Sequence, residues 1–171
     1  MRIFYSKAIL LILLSIVMGP HSFAQVSAGD AKKIATQRTI DEKKLQEYFA
    51  KTHIKPLKTS FGVYYTISKE GEGNKVLAGE TVSVFYTGRL LDGTVFDSNI
   101  DPSFHHTEPL IFETGKGQVI RGYDKGVQLL KKGSKATLYI PSELAYGEHS
   151  PAGIAANSVL VFDVEILDVH R

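Results

Sequence analysis

The sequence predicts an α+β fold in which one curved, mostly antiparallel sheet of five or six strands packs around a single short helix, with a short helix added at the N-terminus. Segments with alternating apolar residues recur from residue 59 to the end of the sequence, which is typical of strands. Between them, only residues 118–130 have the spacing of a helix. No segment repeats and none is of low complexity, so we expect one layer of strands on one helix.

The first 24 residues have the order of a secretory signal peptide. Arg2 and Lys7 flank the start of an apolar run over 8–17, and small residues stand three and one positions before Gln25. The run is well short of the roughly 18 apolar residues that a membrane-spanning helix needs. We therefore expect cleavage after Ala24 and an exported, periplasmic protein.

The composition excludes several classes of function. Without the predicted signal peptide, the 20 basic and 18 acidic residues become 18 and 18, because only Arg2 and Lys7 are lost. A chain without net charge has no electrostatic footprint for nucleic acid or for a charged membrane surface. The absence of cysteine excludes a cysteine nucleophile, a thiolate metal site and a lipid anchor on an N-terminal cysteine. The 147 residues that remain of 171 suffice for one core and are too few for two comfortable domains.

The segment 25–57 is predicted as a flexible lead followed by a short amphipathic helix. Residues 25–38 are polar or small, and Thr39 with Glu42 three positions later has the pattern of an N-terminal capping box. Apolar residues at helical spacing then indicate a helix over 40–52. Such a helix either packs on the main body or contacts a partner, so we expect a monomer or a dimer through the 40–52 helix.

The main domain is predicted over 58–171, and its strands follow from alternation. In TVSVFYTGRL, the residues Val82, Val84 and Tyr86 share one face of a strand. The Asp92-Gly93 pair in LDGTVFDS is typical of a tight hairpin. The other predicted strands lie in FGVYYTIS, EPLIFETG, SKATLYIP and NSVLVFDVEILDVH.

The helix predicted over 118–130 has one apolar stripe that must face the sheet. The stripe consists of Val119, Ile120, Tyr123, Val127 and Leu130. Two glycines, Gly122 and Gly126, lie beside it, although each costs a helix about 1 kcal/mol relative to alanine. Because glycine has no side chain, we expect the pair to let a backbone of the sheet approach the helix closely.

Four sequence blocks, VFYTGRLLDGTVFDS, GQVIRGYDKGV, ELAYGE and NSVLVFDVEIL, resemble in order and spacing the FKBP-type peptidyl-prolyl cis/trans isomerases. The resemblance covers about 59–171, and a signal peptide with a leading helix is similar to the exported bacterial members. It implies a strongly twisted antiparallel sheet wrapped around a short helix, with the active site in the hollow between them. It also implies proline-containing segments of folding exported proteins as substrates, macrolides as inhibitors, and neither cofactor nor metal.

The resemblance further implies which residues form the site. Asp97 would accept hydrogen bonds and orient Tyr86 or the substrate backbone, and Tyr146 would donate its hydroxyl to a substrate carbonyl. The backbone N–H of Ile120 would hold another carbonyl. The expected lining of the pocket is Tyr86, Phe96, Leu110, Phe112, Val119, Ile120, Tyr123, Ile154 and Phe162.

Three positions depart from the pattern of the family that the chain resembles. Tyr123 stands where many members have tryptophan, at the floor of the pocket, and Leu110 replaces an aromatic residue at its rim. Ala155-Ala156 stands where two prolines are common. Because proline restricts the backbone, we expect the loop over 147–157 to be more flexible here.

Charged residues near these blocks have simpler interpretations. Arg89 and Arg121 are possible partners of Asp97, and we expect Arg89 to be solvated at the surface. The adjacent His105 and His106 are expected to be solvated rather than metal ligands, because no third ligand is spaced to join them.

Rotation about an X–Pro bond has a barrier of roughly 18–20 kcal/mol, because the amide is conjugated. Lowering it requires a dry pocket that favours a twisted amide, and a cluster of aromatic side chains suits that task. Each aromatic residue taken alone favours a core position, and only the ordered blocks favour a site. Two other interpretations stay open: a non-catalytic binding or chaperone module on the same fold, and an assembly factor that dimerises through the 40–52 helix.

Overall fold

The computed structural model describes residues 27–170, so the predicted signal peptide lies outside the described residues. These residues form two α-helices and nine strands, with short 3-10 turns at Pro102–Phe104 and Ser142–Leu144. The elements in chain order are α1 (Ala28–Thr52), β1 (Leu57–Lys58), β2 (Tyr64–Lys69), β3 (Glu72–Lys75), β4 (Thr81–Leu90), β5 (Val95–Ser98), β6 (Leu110–Glu113), α2 (Arg121–Val127), β7 (Lys131–Lys132), β8 (Lys135–Ile140) and β9 (Leu160–His170).

Seven of the strands form one antiparallel sheet, and β3 and β7 form a separate two-stranded ribbon. The order in the large sheet is β1-β2-β8-β9-β4-β5, and β6 also pairs with β4. The two longest strands, β4 and β9, pair from Thr81 opposite His170 to Leu90 opposite Leu160. The predicted α+β class is confirmed. The seventh strand is β1, which has only two residues and therefore no alternation that a sequence pattern could show.

The helix α2 is shorter than the predicted 118–130, since it spans only Arg121–Val127. Its glycines explain how it fits against β8. A Cβ atom on Gly122 would lie 2.3 Å from Cγ2 of Ile140, and one on Gly126 would lie 2.5 Å from Cδ1 of Leu138. The sheet therefore does approach the helix closely, but the atoms that fill the space are side chains of β8 and not the expected backbone.

The main core lies between α2 and the sheet. Val119, Tyr123, Val127 and Leu130 of the predicted stripe are buried there together with inward-facing residues of β4, β8 and β9. None of the helices within residues 27–170 is both long enough and apolar enough to span a membrane.

The helix α1 begins twelve residues before the predicted start at Ile40. Ser27 is its N-cap, and the Ser27 side chain accepts a hydrogen bond from the backbone N–H of Asp30. Thr39 lies inside the helix, where its hydroxyl donates to the carbonyl oxygen of Ala35. The predicted capping box and the flexible lead over 28–38 are therefore wrong. This segment is rich in alanine, lysine, glutamine and arginine, which are all good helix formers.

The C-terminal half of α1 packs on the outer face of the large sheet. Leu45 and Phe49 are buried in a second apolar cluster with Tyr64, Tyr139 and Val161. The ring of Phe49 lies 5.0 Å from that of Tyr139 and 5.2 Å from that of Tyr64, measured between centroids. Of the two roles predicted for this helix, the structure shows packing on the main body.

Candidate active site

An aromatic cluster lies between α2 and the sheet, where the hollow of the site is expected. Tyr123 of α2 lies at its centre, with its ring centroid 5.1 Å from that of Phe162, 5.9 Å from that of Phe112 and 6.3 Å from that of Tyr86. Phe96 packs edge-on against Phe162 at 5.6 Å. The edge-to-face arrangements stabilise the cluster, because the positive edge of one ring meets the negative face of another. Four different strands and α2 thus bring together five of the predicted lining residues.

Gly88 lets Phe96 enter this cluster, and the sequence patterns did not single it out. It lies on the inward face of β4, and a Cβ atom at this position would lie 2.6 Å from the Phe96 ring and 2.9 Å from the Phe162 ring. A glycine inside a predicted strand signals a close approach of this kind. The TVSVFYTGRL block carried that signal.

The hydroxyl of Tyr123 is buried without a hydrogen-bond partner among the described residues. Its side chain is 1% exposed, and burial raises the pKa of this phenol well above its ordinary value. Buried tyrosine hydroxyls usually have a partner. The floor of the hollow therefore contains one polar atom whose desolvation nothing in residues 27–170 offsets.

Asp97 forms the polar end of the hollow. It lies at the end of β5 and is almost fully buried. The Tyr86 hydroxyl donates to Oδ2 of Asp97 at 2.7 Å, and the Oδ1 atom lies 2.8 Å from Nε2 of His106. Burial, followed by the hydrogen bond to Asp97, raises the pKa of Tyr86 far above that of a free phenol. Asp97 thus holds Tyr86 as a neutral hydrogen-bond donor.

The contact between His106 and Asp97 contradicts the expectation that both histidines are solvated. His105 is exposed, whereas His106 is half-buried against Asp97. The loop after β5 folds back because the buried Asn99 side chain accepts from the backbone N–H of Tyr86 and donates to the carbonyl oxygens of Val84 and Glu108. No pattern in SNIDPSFHHTE predicts this long-range tether.

The expected role of Arg89 is also wrong. Its guanidinium donates to Asp163 at 3.1 Å and lies 3.3 Å from the hydroxyl oxygen of Tyr48. Alternation along β4 places Arg89 on the face opposite to Tyr86, which excludes a contact with Asp97 across the sheet. Arg121 is exposed, and among the described residues no ion pair joins it to Asp97.

The remaining predicted residues surround the same hollow. Val119 and Ile154 are buried in the main core, and Leu110, Ile120 and Tyr146 pack against it from half-buried positions. Burial, with a smaller effect from the charge of Asp97, raises the pKa of Tyr146 to about 12. All the predicted site residues therefore lie in or beside one continuous apolar cluster with a polar end.

The loop that contains Ile154 is held by hydrogen bonds although it lacks two prolines. The backbone N–H of Asn157 donates to the carbonyl oxygen of Gly147 at 2.7 Å and closes the loop. The hydroxyls of Ser150 and Ser158 both donate to the carbonyl oxygen of Ala155, at 3.1 and 2.7 Å. These hydrogen bonds restrict the backbone of the loop at Ala155-Ala156, the two positions where the sequence lacks proline.

Comparisons with known proteins agree with this geometry. A family model described as FKBP-type peptidyl-prolyl cis-trans isomerase matches residues 72–167. The chain is 45% identical over 133 residues to the FKBP-type peptidyl-prolyl cis-trans isomerase FkpA of Aeromonas hydrophila. The matched residues make up 77% of this chain and 47% of that relative. It is 43% identical over 104 residues to the FK506-binding protein of Neisseria meningitidis. This match covers 60% of this chain and 92% of that protein.

The fold is similar to solved structures as well. The crystal structure of FkpA from Escherichia coli matches with a TM-score of 0.65 and 38% sequence identity, over 84% of this chain and 65% of that one. The chain spans about half the length of the FkpA relatives that it matches. Since the family model covers more than half of the chain and an aromatic cluster lies between α2 and the sheet, the chain belongs to the FKBP-type peptidyl-prolyl cis-trans isomerase family.

Proposed function

We propose that the protein is a peptidyl-prolyl cis/trans isomerase that accelerates rotation about X–Pro bonds in exported proteins as they fold. The observation that carries this proposal is the aromatic hollow with its buried polar end, in which Asp97 and Tyr86 are hydrogen-bonded at 2.7 Å. The names of the relatives from Aeromonas hydrophila and Escherichia coli support the reaction class.

The physical argument starts from the planar amide. Conjugation gives the X–Pro bond its double-bond character and places partial charges on oxygen and nitrogen. Twisting the bond removes the conjugation and with it part of this charge separation, so a dry apolar site disfavours the planar amide more than the twisted one. The rings of Phe96, Phe112, Tyr123 and Phe162 supply such a surface around a proline ring.

The polar groups hold the substrate backbone while the bond rotates. Tyr146 donates its hydroxyl to a substrate carbonyl oxygen. Like any phenol it is protonated at neutral pH, and its raised pKa of about 12 extends this into the alkaline range. The backbone N–H of Ile120, at the start of α2, donates to a second carbonyl. Asp97 orients Tyr86 and fixes the polar end of the hollow. No step involves a covalent intermediate.

The predicted signal peptide over 1–24 supports export to the periplasm as the setting of this activity. The substrates we propose are proline-containing segments of unfolded exported proteins. The same hollow would take a macrolide, because its rings offer a broad apolar surface beside hydrogen-bonding groups, and the name of the relative from Neisseria meningitidis indicates such a ligand for that protein.

The test is the catalysed isomerisation of a proline tetrapeptide by the protein and two variants. Asp97→Ala removes a hydrogen-bonded charged group, which costs about 1.5–3 kcal/mol, or roughly ten- to a hundredfold in rate. Tyr146→Phe removes one neutral hydrogen bond, for roughly a fivefold loss. Both variants should remain folded, as near-UV circular dichroism would show.

Matched controls lie on the opposite face of the sheet. Asp163→Ala removes a carboxylate and Tyr48→Phe removes a phenol hydroxyl, and both groups contact Arg89. These variants should leave the catalysed rate unchanged. Equal losses in these controls would mean that the site variants act through the fold. A wild-type protein that binds the peptide or a macrolide but gives no rate above background would instead support a non-catalytic binding module.

A further inference from the structure

A second concavity, which we call the α1 groove, lies between α1 and two loops of the main domain. It has a volume of about 1150 Å³. One wall is the N-terminal half of α1, and the other consists of the loop at 58–62 and the segment 141–149. This volume exceeds the range of about 300–1,000 Å³ that is typical of sites for small molecules. The lining residues of α1 run from Asp30 to Glu42, which is about 18 Å of helix at about 1.5 Å per residue, so the groove favours an extended ligand.

The α1 groove borders the candidate active site. Tyr146 lines the groove and also packs against the main core, which contains the aromatic cluster. Gly147 and Asn157, which close the loop around Ile154, line it as well. A polypeptide whose proline lies in the aromatic hollow can therefore continue past Tyr146 into the groove without leaving the protein surface.

Hydrogen bonds fix the two walls of the groove relative to each other. The Asp41 carboxylate on α1 is 0% exposed and accepts from the backbone N–H and the hydroxyl of Ser142 at 2.8 and 2.6 Å, and from Gln37 at 2.8 Å. Arg38 makes a bidentate contact with Glu143 at 2.8 and 3.0 Å. A buried carboxylate with several donors holds its geometry tightly, so the groove is formed before a ligand binds.

The surface of the groove fits an unfolded polypeptide. Two large apolar side chains are exposed in it, Ile34 at 44% and Phe61 at 37%. The charged side chains of the lining have both signs, so the groove lacks the uniform charge that nucleic acid requires. They are Asp30, Lys33, Arg38, Glu42, Lys58, Arg121, Glu143 and Glu148.

We infer that the α1 groove binds the segment of a substrate polypeptide that flanks the proline, with Ile34 and Phe61 contacting its apolar side chains. The inference rests on the proposed function for the identity of the adjoining pocket. The protein would then bind long unfolded chains more tightly than short peptides.

The experiment compares three substrates: a proline tetrapeptide, and the same tetrapeptide extended by a leucine-containing segment on its N-terminal or its C-terminal side. The wild type should have a lower KM for one of the extended peptides than for the tetrapeptide. Ile34→Asp and Phe61→Asp should each raise that KM roughly five- to tenfold, as expected for the loss of part of an apolar contact. Neither should change kcat/KM for the tetrapeptide.

Ile40→Asp is the matched control, because Ile40 is 43% exposed on the same helix but does not line the groove. It should leave the KM of all three peptides unaffected. Equal KM values for the tetrapeptide and both extended peptides in the wild type would overturn the inference, as would an equal effect of Ile40→Asp.

Absence of catalysis on every peptide would overturn the proposed function alone. Fluorescence anisotropy of the labelled extended peptides then tests the groove directly. Binding that Ile34→Asp weakens and Ile40→Asp does not would sustain the inference, and binding that neither changes would overturn it.

Discussion

Replacing Tyr123 with phenylalanine should stabilise the protein, although most substitutions in a core destabilise it. The Tyr123 hydroxyl is buried and has no hydrogen-bond partner among residues 27–170. A buried polar group that is left unsatisfied costs about 1–3 kcal/mol. Removing the oxygen leaves a hole of about one methyl group, which costs about 1 kcal/mol. We therefore expect a net gain of about 1 kcal/mol in the free energy of unfolding.

The assay is thermal and urea unfolding of the wild type and Tyr123→Phe at neutral pH. A gain of about 1 kcal/mol should raise the Tm by about 2–4 °C in a domain of this size. The urea midpoint should rise with an unchanged m-value, which shows that the unfolded state has not been altered.

Tyr86→Phe is the control, and it should change the free energy of unfolding in the opposite direction. Its hydroxyl donates to the Asp97 carboxylate at 2.7 Å, so the same chemical change should cost about 1.5–3 kcal/mol of stability. A Tyr123→Phe protein that is less stable than the wild type would refute the reasoning. It would mean that an ordered water molecule or another group satisfies the Tyr123 hydroxyl.

Three further predictions concern the helix, the alkaline limit of stability and the histidine. Gly122→Ala should destabilise the protein by about 1–3 kcal/mol in urea unfolding, because a Cβ atom 2.3 Å from Ile140 outweighs the gain of about 1 kcal/mol in helix propensity; a more stable variant would contradict the packing described for α2. Tyr146 has a raised pKa of about 12 in the folded state, whereas a free phenol has a pKa of about 10. Its contribution to stability is therefore fully present below a pH of about 10 and is lost as the pH rises through about 12. Melting curves of the wild type should fall more steeply over that range than those of Tyr146→Phe, and parallel curves would contradict this. His106→Ala should lower kcat/KM for a proline tetrapeptide several-fold, since Asp97 loses one of two partners, while His106→Gln should retain more activity through its amide; equal rates for the wild type and His106→Ala would show that the contact is dispensable.

Most of the fold could be predicted because its elements have strong periodic patterns. Alternation along β4 placed Val82, Val84 and Tyr86 on one face, and all three are buried. The start of α1 could not be predicted in the same way. Thr39 and Glu42 have the pattern of a capping box, but good helix formers precede them and Ser27 offers an equivalent cap earlier in the chain. A local motif fixes a helix start only where the preceding residues resist helix formation.

The aromatic residues of the candidate site followed from four sequence blocks, whereas its polar partners did not. The contact of His106 with Asp97 depends on how the loop after β5 folds back on Asn99. The contact of Arg89 with Asp163 depends on which strand lies beside β4. Both are set by tertiary pairing between distant segments, which the spacing of residues within one segment does not contain.

The buried contacts of α1 have a consequence for the order of folding. Leu45 shares its cluster with Val161 of β9, the last strand within residues 27–170. The surface that buries the apolar face of α1 is therefore complete only when β9 has paired with β4 and β8, long after α1 has been synthesised. Contacts between the two ends of a chain form slowly, because a long loop must close first. A protein proposed to assist the folding of others thus has apolar side chains of its own, Leu45 and Phe49, whose burial is incomplete until β9 is in place.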